Sequence, residues 1–176
     1  MTFLVTKNGE NLSKDRYTLD KRTKIFSSTE NNLVICAIGF PGYTFNIGSN
    51  CILNTSYNCI FNAGNYCIFN TEHNCNFKTG WGCVFDTGED CIFKTENNCI
   101  FKTGSGSIFY TNKNCVVIRR DVFEVIQIPE NTKIQLNSPY SCGYIKIKDT
   151  KTITIDGKDI EVSNESFEAL KKQRIK

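Results

Sequence analysis

The chain has 176 residues, 40% of them hydrophobic and 22% charged, with a formal net charge of +3 and ten cysteines. That length suits one domain with appendages, no apolar run nears the ~18 residues that span a bilayer, and Met1 to Lys14 lacks a signal-peptide core, so a soluble, unsecreted protein is expected. Charge is spread evenly: six basic and four acidic residues in 1–42, four and five in 43–118, eleven and nine in 119–176. No nucleic acid is indicated, and no membrane.

In chain order, 1–42 reads as an N-terminal β cap. Thr2-Phe3-Leu4-Val5-Thr6, a Lys7-Asn8-Gly9 turn and Leu33-Val34-Ile35-Cys36 have strand and turn composition. From Tyr43 a period of eight takes over. Cysteine stands at Cys51, Cys59, Cys67, Cys75, Cys83, Cys91, Cys99 and Cys115, with Ser107 in the missing slot. Two places later comes Leu53, then Phe61, Phe69, Phe77, Phe85, Phe93, Phe101 and Phe109. A fixed short period marks a solenoid, in which each turn buries its apolar face on the next. The fold class expected is therefore all-β, a parallel β-solenoid (β-helix) over 43–118, with β caps and a short C-terminal helix.

Within an octad such as Asn98-Cys99-Ile100-Phe101-Lys102-Thr103-Gly104, alternation sends Cys, Phe and Thr to one side and Ile and Lys to the other. The first set must face inward, since the opposite register would bury Asn50, Asn58, Lys78 and Lys94 without partners. Gly64, Gly80, Gly88 and Gly104 mark the bends, where positive φ costs glycine little. Coils of 16 or 24 residues both fit. The return of Thr71-Glu72-His73-Asn74-Cys75 as Thr95-Glu96-Asn97-Asn98-Cys99 favours 24, a three-sided coil.

After the octads, 119–150 reads as a β exit, with strands at Val122 to Ile126 and Lys133 to Leu136 and punctuation at Pro129 and Pro139. Residues 151–176 read as a separate hairpin-helix module. Thr152 to Ile155 and Lys158 to Val162 flank an Asp156-Gly157 turn; Ser163 or Asn164 then caps a helix from Glu165 to Gln173 bearing Phe167 and Leu170.

The octads from Cys51 to Phe109, the exit segment Val117 to Ile126 and the tail Ile153 to Lys158 together resemble uncharacterised Cys-x-Phe-x-Thr-Gly repeat proteins of tailed phages and giant viruses. That resemblance implies a viral protein, virion-associated or in the host cytoplasm, and brings no activity or site residues with it. Ile follows Cys here where that family often has Thr, which removes outward threonine rows.

Chemistry-bearing residues are few. In an unsecreted chain the cysteines are expected to be reduced and buried, and Ser107 fits a packing slot better than a disulfide or metal set. Zinc-type CxxC pairs are absent, so no metal and no cofactor is expected. His73 and Trp81 occupy corner slots, Glu72, Glu89, Asp90 and Glu96 lack a calcium-repeat pattern, and Arg119-Arg120 beside Asp121 and Glu124 reads as an exposed ion-paired exit. An enzyme is not expected, because nucleophile, base and pocket are missing. Two functions remain: a structural or assembly scaffold, or a binding module using a flat face for a glycan, ice or a protein. The candidate interface is the outward row Ile52, Ile60, Ile68, Val84, Ile92, Ile100, Ile108 and Val116, serving a homo-oligomer or a protein partner. Asn76 interrupts it, so the face without Asn76 is expected to be the stickier.

Overall fold

The computed structural model describes residues 3–148, 150–155, 158–163, 166, 167 and 169, in two compact units, Met1–Ile145 and Lys146–Lys176. The first unit is a flattened β-solenoid of about six turns. Its strands alternate between two nine-stranded sheets. The first sheet runs Glu10–Asn11, Leu4–Lys7, Leu33–Ala37, Ile52–Thr55, Ile68–Asn70, Val84–Asp86, Ile100–Thr103, Val116–Arg119 and Glu124–Gln127. The second runs Thr18–Asp20, Ile25–Ser27, Thr44–Asn46, Ile60–Ala63, Asn76–Thr79, Ile92–Lys94, Ile108–Tyr110, Lys133–Leu136 and Tyr144–Lys146. Pairing is parallel through the body, and antiparallel strands close the ends: Leu4–Lys7 and Thr18–Asp20 at one, Glu124–Gln127 and Lys133–Leu136 at the other. Such caps cover backbone groups that a bare solenoid end would offer to another chain.

Register corrects the expected coil length. Phe61 pairs with Phe77 and Phe69 with Phe85, so a coil holds 16 residues and has two sides, not 24 and three. The interior explains why. Each Phe stacks on its equivalent one coil along, as Phe77 on Phe93 at 5.0 Å, and meets the opposite sheet edge-on, as Phe93 meets Phe101 at 4.8 Å. One large side chain per octad fills the gap between two facing sheets in favourable ring geometries. The similar 71–75 and 95–99 segments lie at opposite corners of the coil. What they share is local: Asn74 and Asn98 both have positive φ, 56° and 59°.

That last feature corrects the reading of the glycines. The left-handed residue is the one before each cysteine slot, at Asn50, Asn58, Tyr66, Asn74, Gly82, Asp90, Asn98, Gly106 and Asn114. Asn and Asp tolerate this conformation best among side-chain-bearing residues, which accounts for the Asn-Cys pairs. Gly64, Gly80, Gly88 and Gly104 have negative φ and are needed for close approach of successive coils. A Cβ on Gly88 would sit 3.0 Å from the His73 nitrogen and 3.2 Å from the Glu72 carbonyl carbon.

Eight of the ten cysteines form two buried columns, Cys51-Cys67-Cys83-Cys99-Cys115 and Cys59-Cys75-Cys91 with Ser107; Cys36 is half-buried and Cys142 exposed, against the expected burial, and all ten are free thiols. The column thiols lie near corner carbonyls, as Cys91 reaches Glu89 at 3.5 Å and Glu72, in the coil before, at 3.7 Å, both of which also accept a backbone N–H from a neighbouring coil. Ser107 fits because its hydroxyl accepts the Cys91 N–H at 3.2 Å and bonds Thr103 at 3.0 Å. Packing and weak hydrogen bonding select the residue here. The Cys59 thiol is pushed far up by its bond to Cys75 and by burial. Cys75, drawn down by Cys59 but pushed up by Cys91 and by burial, ends at about 11. These two thiols stay protonated near neutral pH.

The exit also departs from expectation. Arg119 is fully buried. Its guanidinium bonds Asp121 at 2.5 Å and the Ser141 and Gly143 carbonyls at 2.7 and 3.2 Å, with Glu124 3.8 Å away. Arg119 follows Thr55, Thr87 and Thr103 in the inward threonine slot, where the last coil has no successor and polar loop carbonyls close over it. Only Arg120 remains at the surface, paired with Asp86. At the opposite end Glu30 ties Lys7 and Arg16 at 2.7 and 2.6 Å, and these bonds hold its carboxyl below the usual range.

In the second unit, Thr150–Ile155 pairs antiparallel with Lys158–Ser163, with Ile153 opposite Ile160. The Ser163 hydroxyl accepts the Ser166 N–H at 3.1 Å, an N-cap bond, and Ser166, Phe167 and Ala169 are helical. The expected turn at Asp156-Gly157, the cap candidate Asn164 and the remainder of the helix through Gln173 lie outside the described residues.

Candidate interaction face

Two-sided coils divide the eight candidate interface residues. Ile52, Ile68, Val84, Ile100 and Val116 stack in register on the first sheet, while Ile60, Ile92 and Ile108 fall on the second. The second-sheet row is broken twice, by Thr44 and Asn76. Beside it runs a polar row of Asn46, Asn62, Lys78, Lys94 and Tyr110, in which Asn62 Nδ2 donates a hydrogen bond to Asn46 Oδ1 at 2.8 Å. Lys94 and Lys133 sit 5.5 and 4.4 Å from the Tyr110 ring centre. This face is solvated and cationic.

On the first sheet the aliphatic row has no interruption, and it is one residue longer than expected. Val34 pairs with Ile52 and extends it. Its offset of 18 residues, rather than 16, hides it from the octad frame, because the turn between them carries two extra residues. The neighbouring outward row reads Leu4, Cys36, Asn54, Asn70, Asp86, Lys102, Ile118 and Val125, apolar at both ends and polar in the middle. Asp86 bonds Lys102 at 3.4 Å and Arg120, so these charges are neutralised within the face. The two ends add Ile38, 61% exposed, and Phe123, 93% exposed. Phe123 holds a positive φ of 52°, uncommon for a bulky residue, at the tip of the Val116–Gln127 hairpin.

The remaining side chains with chemistry are dispersed. His73 stacks on Tyr57 at 5.2 Å in one corner column, and Trp81 packs on Tyr66 at 4.5 Å in the other. Among the described residues no three His, Cys, Asp or Glu side chains converge as a metal site. An open groove of about 530 Å³ runs over Gly64 and Gly80, bordered by Asn62, Asn65, Lys78 and Glu96. No helix among the described residues is long and apolar enough to cross a membrane. No family model, curated protein or solved structure matches the chain.

Proposed function

We propose that this chain is a non-enzymatic structural or assembly scaffold whose working surface is the first-sheet face. One observation carries the reading: the unbroken aliphatic row from Val34 to Val116, where the equivalent row of the opposite sheet is broken by Thr44 and Asn76. Contiguous apolar surface on a rigid sheet suits protein docking. The likeness of the octads to proteins of tailed phages and giant viruses supports a role in viral assembly. A photoreactive benzoylphenylalanine in place of Ile68 should form adducts with a polypeptide, and the same group in place of Ile60 should not. Equal labelling from both positions, or none from Ile68, overturns the reading.

A second reading, a glycan-binding module, is favoured by the groove over Gly64 and Gly80 near the Trp81–Tyr66 pair. Amide and charged side chains beside an exposed indole suit a sugar chain. A glycan array in which Trp81→Ala removes a defined signal supports it, and a blank array rejects it.

A further inference from the structure

We infer that the first-sheet face is a self-complementary interface, on which a second copy of this chain docks with its coils running in the opposite direction. This rests on the scaffold reading and names the partner. Leu4, Val34, Ile52, Ile68, Val84, Ile100, Ile118, Phe123 and Val125 are each 36% to 93% exposed. Together they present on the order of 700 Å² of apolar surface, beyond the ~300–600 Å² of a typical monomer's largest patch and near the ~800 Å² each side contributes to a standard interface.

Polarity along the solenoid axis is ordered about the centre of the face. A dyad lying in the face, across the solenoid axis and between the Ile68 and Val84 strands, reverses the coil order but keeps each row facing its own counterpart. It sets Ile68 against Val84 of the second copy, Ile52 against Ile100, and Val34 against Val116. In the neighbouring row it sets Asn70 against Asp86, Asn54 against Lys102, Cys36 against Ile118, and Leu4 against Val125. Within these two rows apolar meets apolar, each charged group meets an amide, and no like charges meet; beyond them Arg120, held by Asp86, lies toward Ile38 of the other copy. An isologous contact requires this symmetry of a patch about its own centre.

The opposite arrangement, with the dyad along the solenoid axis, exchanges the rows. Val84 would then cover Asp86 and Ile100 would cover Lys102, burying charges against aliphatic side chains. Coil reversal also brings the exposed Phe123 of one copy to the end where Ile38 and Leu4 of the other are exposed, and it accounts for large apolar side chains at both extremities of one face.

Sedimentation from about 1 to 100 µM should show wild-type dimer. Ile68→Lys, which puts two cations beside the dyad, should yield folded monomer, and Ile60→Lys on the other sheet should leave the dimer intact. Sheets that pack face to face lie ~10 Å apart, so direction is read with a bismaleimide of that reach. In Cys142→Ser with Ile118→Cys, cross-links should join Cys36 of one chain to the new thiol of the other. Wild-type monomer at 100 µM, an Ile68→Lys dimer, or links only between identical positions would each overturn the inference. Adducts from position 68 to a different protein, with a monomeric wild type, overturn it while leaving the scaffold reading standing.

Discussion

Replacing Phe93 by alanine tests the inward register and two-sheet interior together. Its ring has no exposed surface and touches four others, Phe77, Phe85, Phe101 and Phe109, at centroid distances of 5.0, 5.1, 4.8 and 4.9 Å. Phe→Ala in a core costs ~3–5 kcal/mol, and aromatic pairs add ~0.5–1.5 kcal/mol each beyond area burial, so the upper part of the range, ~4–5 kcal/mol, is expected. Both sheets flank the cavity, and the backbone ladders on either side resist its collapse. Cys91→Ser, two residues earlier on the same inward side, loses only weak thiol bonds in a column that already accepts Ser107, and should cost ~1 kcal/mol. Urea unfolding followed by far-ultraviolet circular dichroism gives both values, compared at equal m. Equal losses from the two changes would refute the register, because cysteine and phenylalanine would then be filling comparable space.

Further outcomes follow from the ends, the corners and the thiols. Arg119→Met leaves Asp121 and Glu124 without their buried cation and should destabilise by ~3–5 kcal/mol; a change within ~0.5 kcal/mol in the same assay would place the side chain in solvent. Gly48→Ala drives a Cβ to 2.6 Å from the Glu30 carbonyl oxygen and should cost ~1–3 kcal/mol, whereas Gly9→Ala meets nothing within 4 Å and carries only the strain of its φ of +84°. Equal Tm losses would deny the close approach of coils. Cys75 binds its proton more tightly in the folded chain, at about 11, than an ordinary thiol does near 9.0. Its contribution is therefore complete below pH 9 and lost as pH rises toward 11, about 3 kcal/mol over that window at ~1.4 kcal/mol per unit. Urea midpoints should fall steeply there and less so in Cys75→Ser; an unchanged slope in the variant would contradict the assignment.

Much of the solenoid was legible because burial in a strand has a period of two. Once Asn50 and Lys78 are kept out of the core, Cys, Phe and Thr have one place to go, and the structure puts them there. Coil length was not legible, since 16 and 24 are both multiples of eight and local corner chemistry repeats without regard to which strands stack. Glycine was assigned to the right corners for the wrong reason: left-handed backbone can be read from Asn-Cys, but close approach depends on the neighbouring coil. Arg119 looked solvated because nothing local announces that a chain end will fold over it. The candidate interface was visible as a residue type, yet its division into an unbroken and a broken row depends on coil length. Val34, Ile118, Val125 and Phe123 lie outside the octad frame and join the face only through pairing at the caps.

On the proposed reading one sheet face is made to be covered and the other is not. Hydroxyl-radical footprinting with mass spectrometry reads this at the side chains, comparing Ile52, Ile68 and Ile100 with Ile60 and Ile92 as concentration rises. Protection of the first set alone, abolished by Ile68→Lys, is the predicted result. Equal oxidation of both sets at every concentration, with or without a partner protein present, would contradict it.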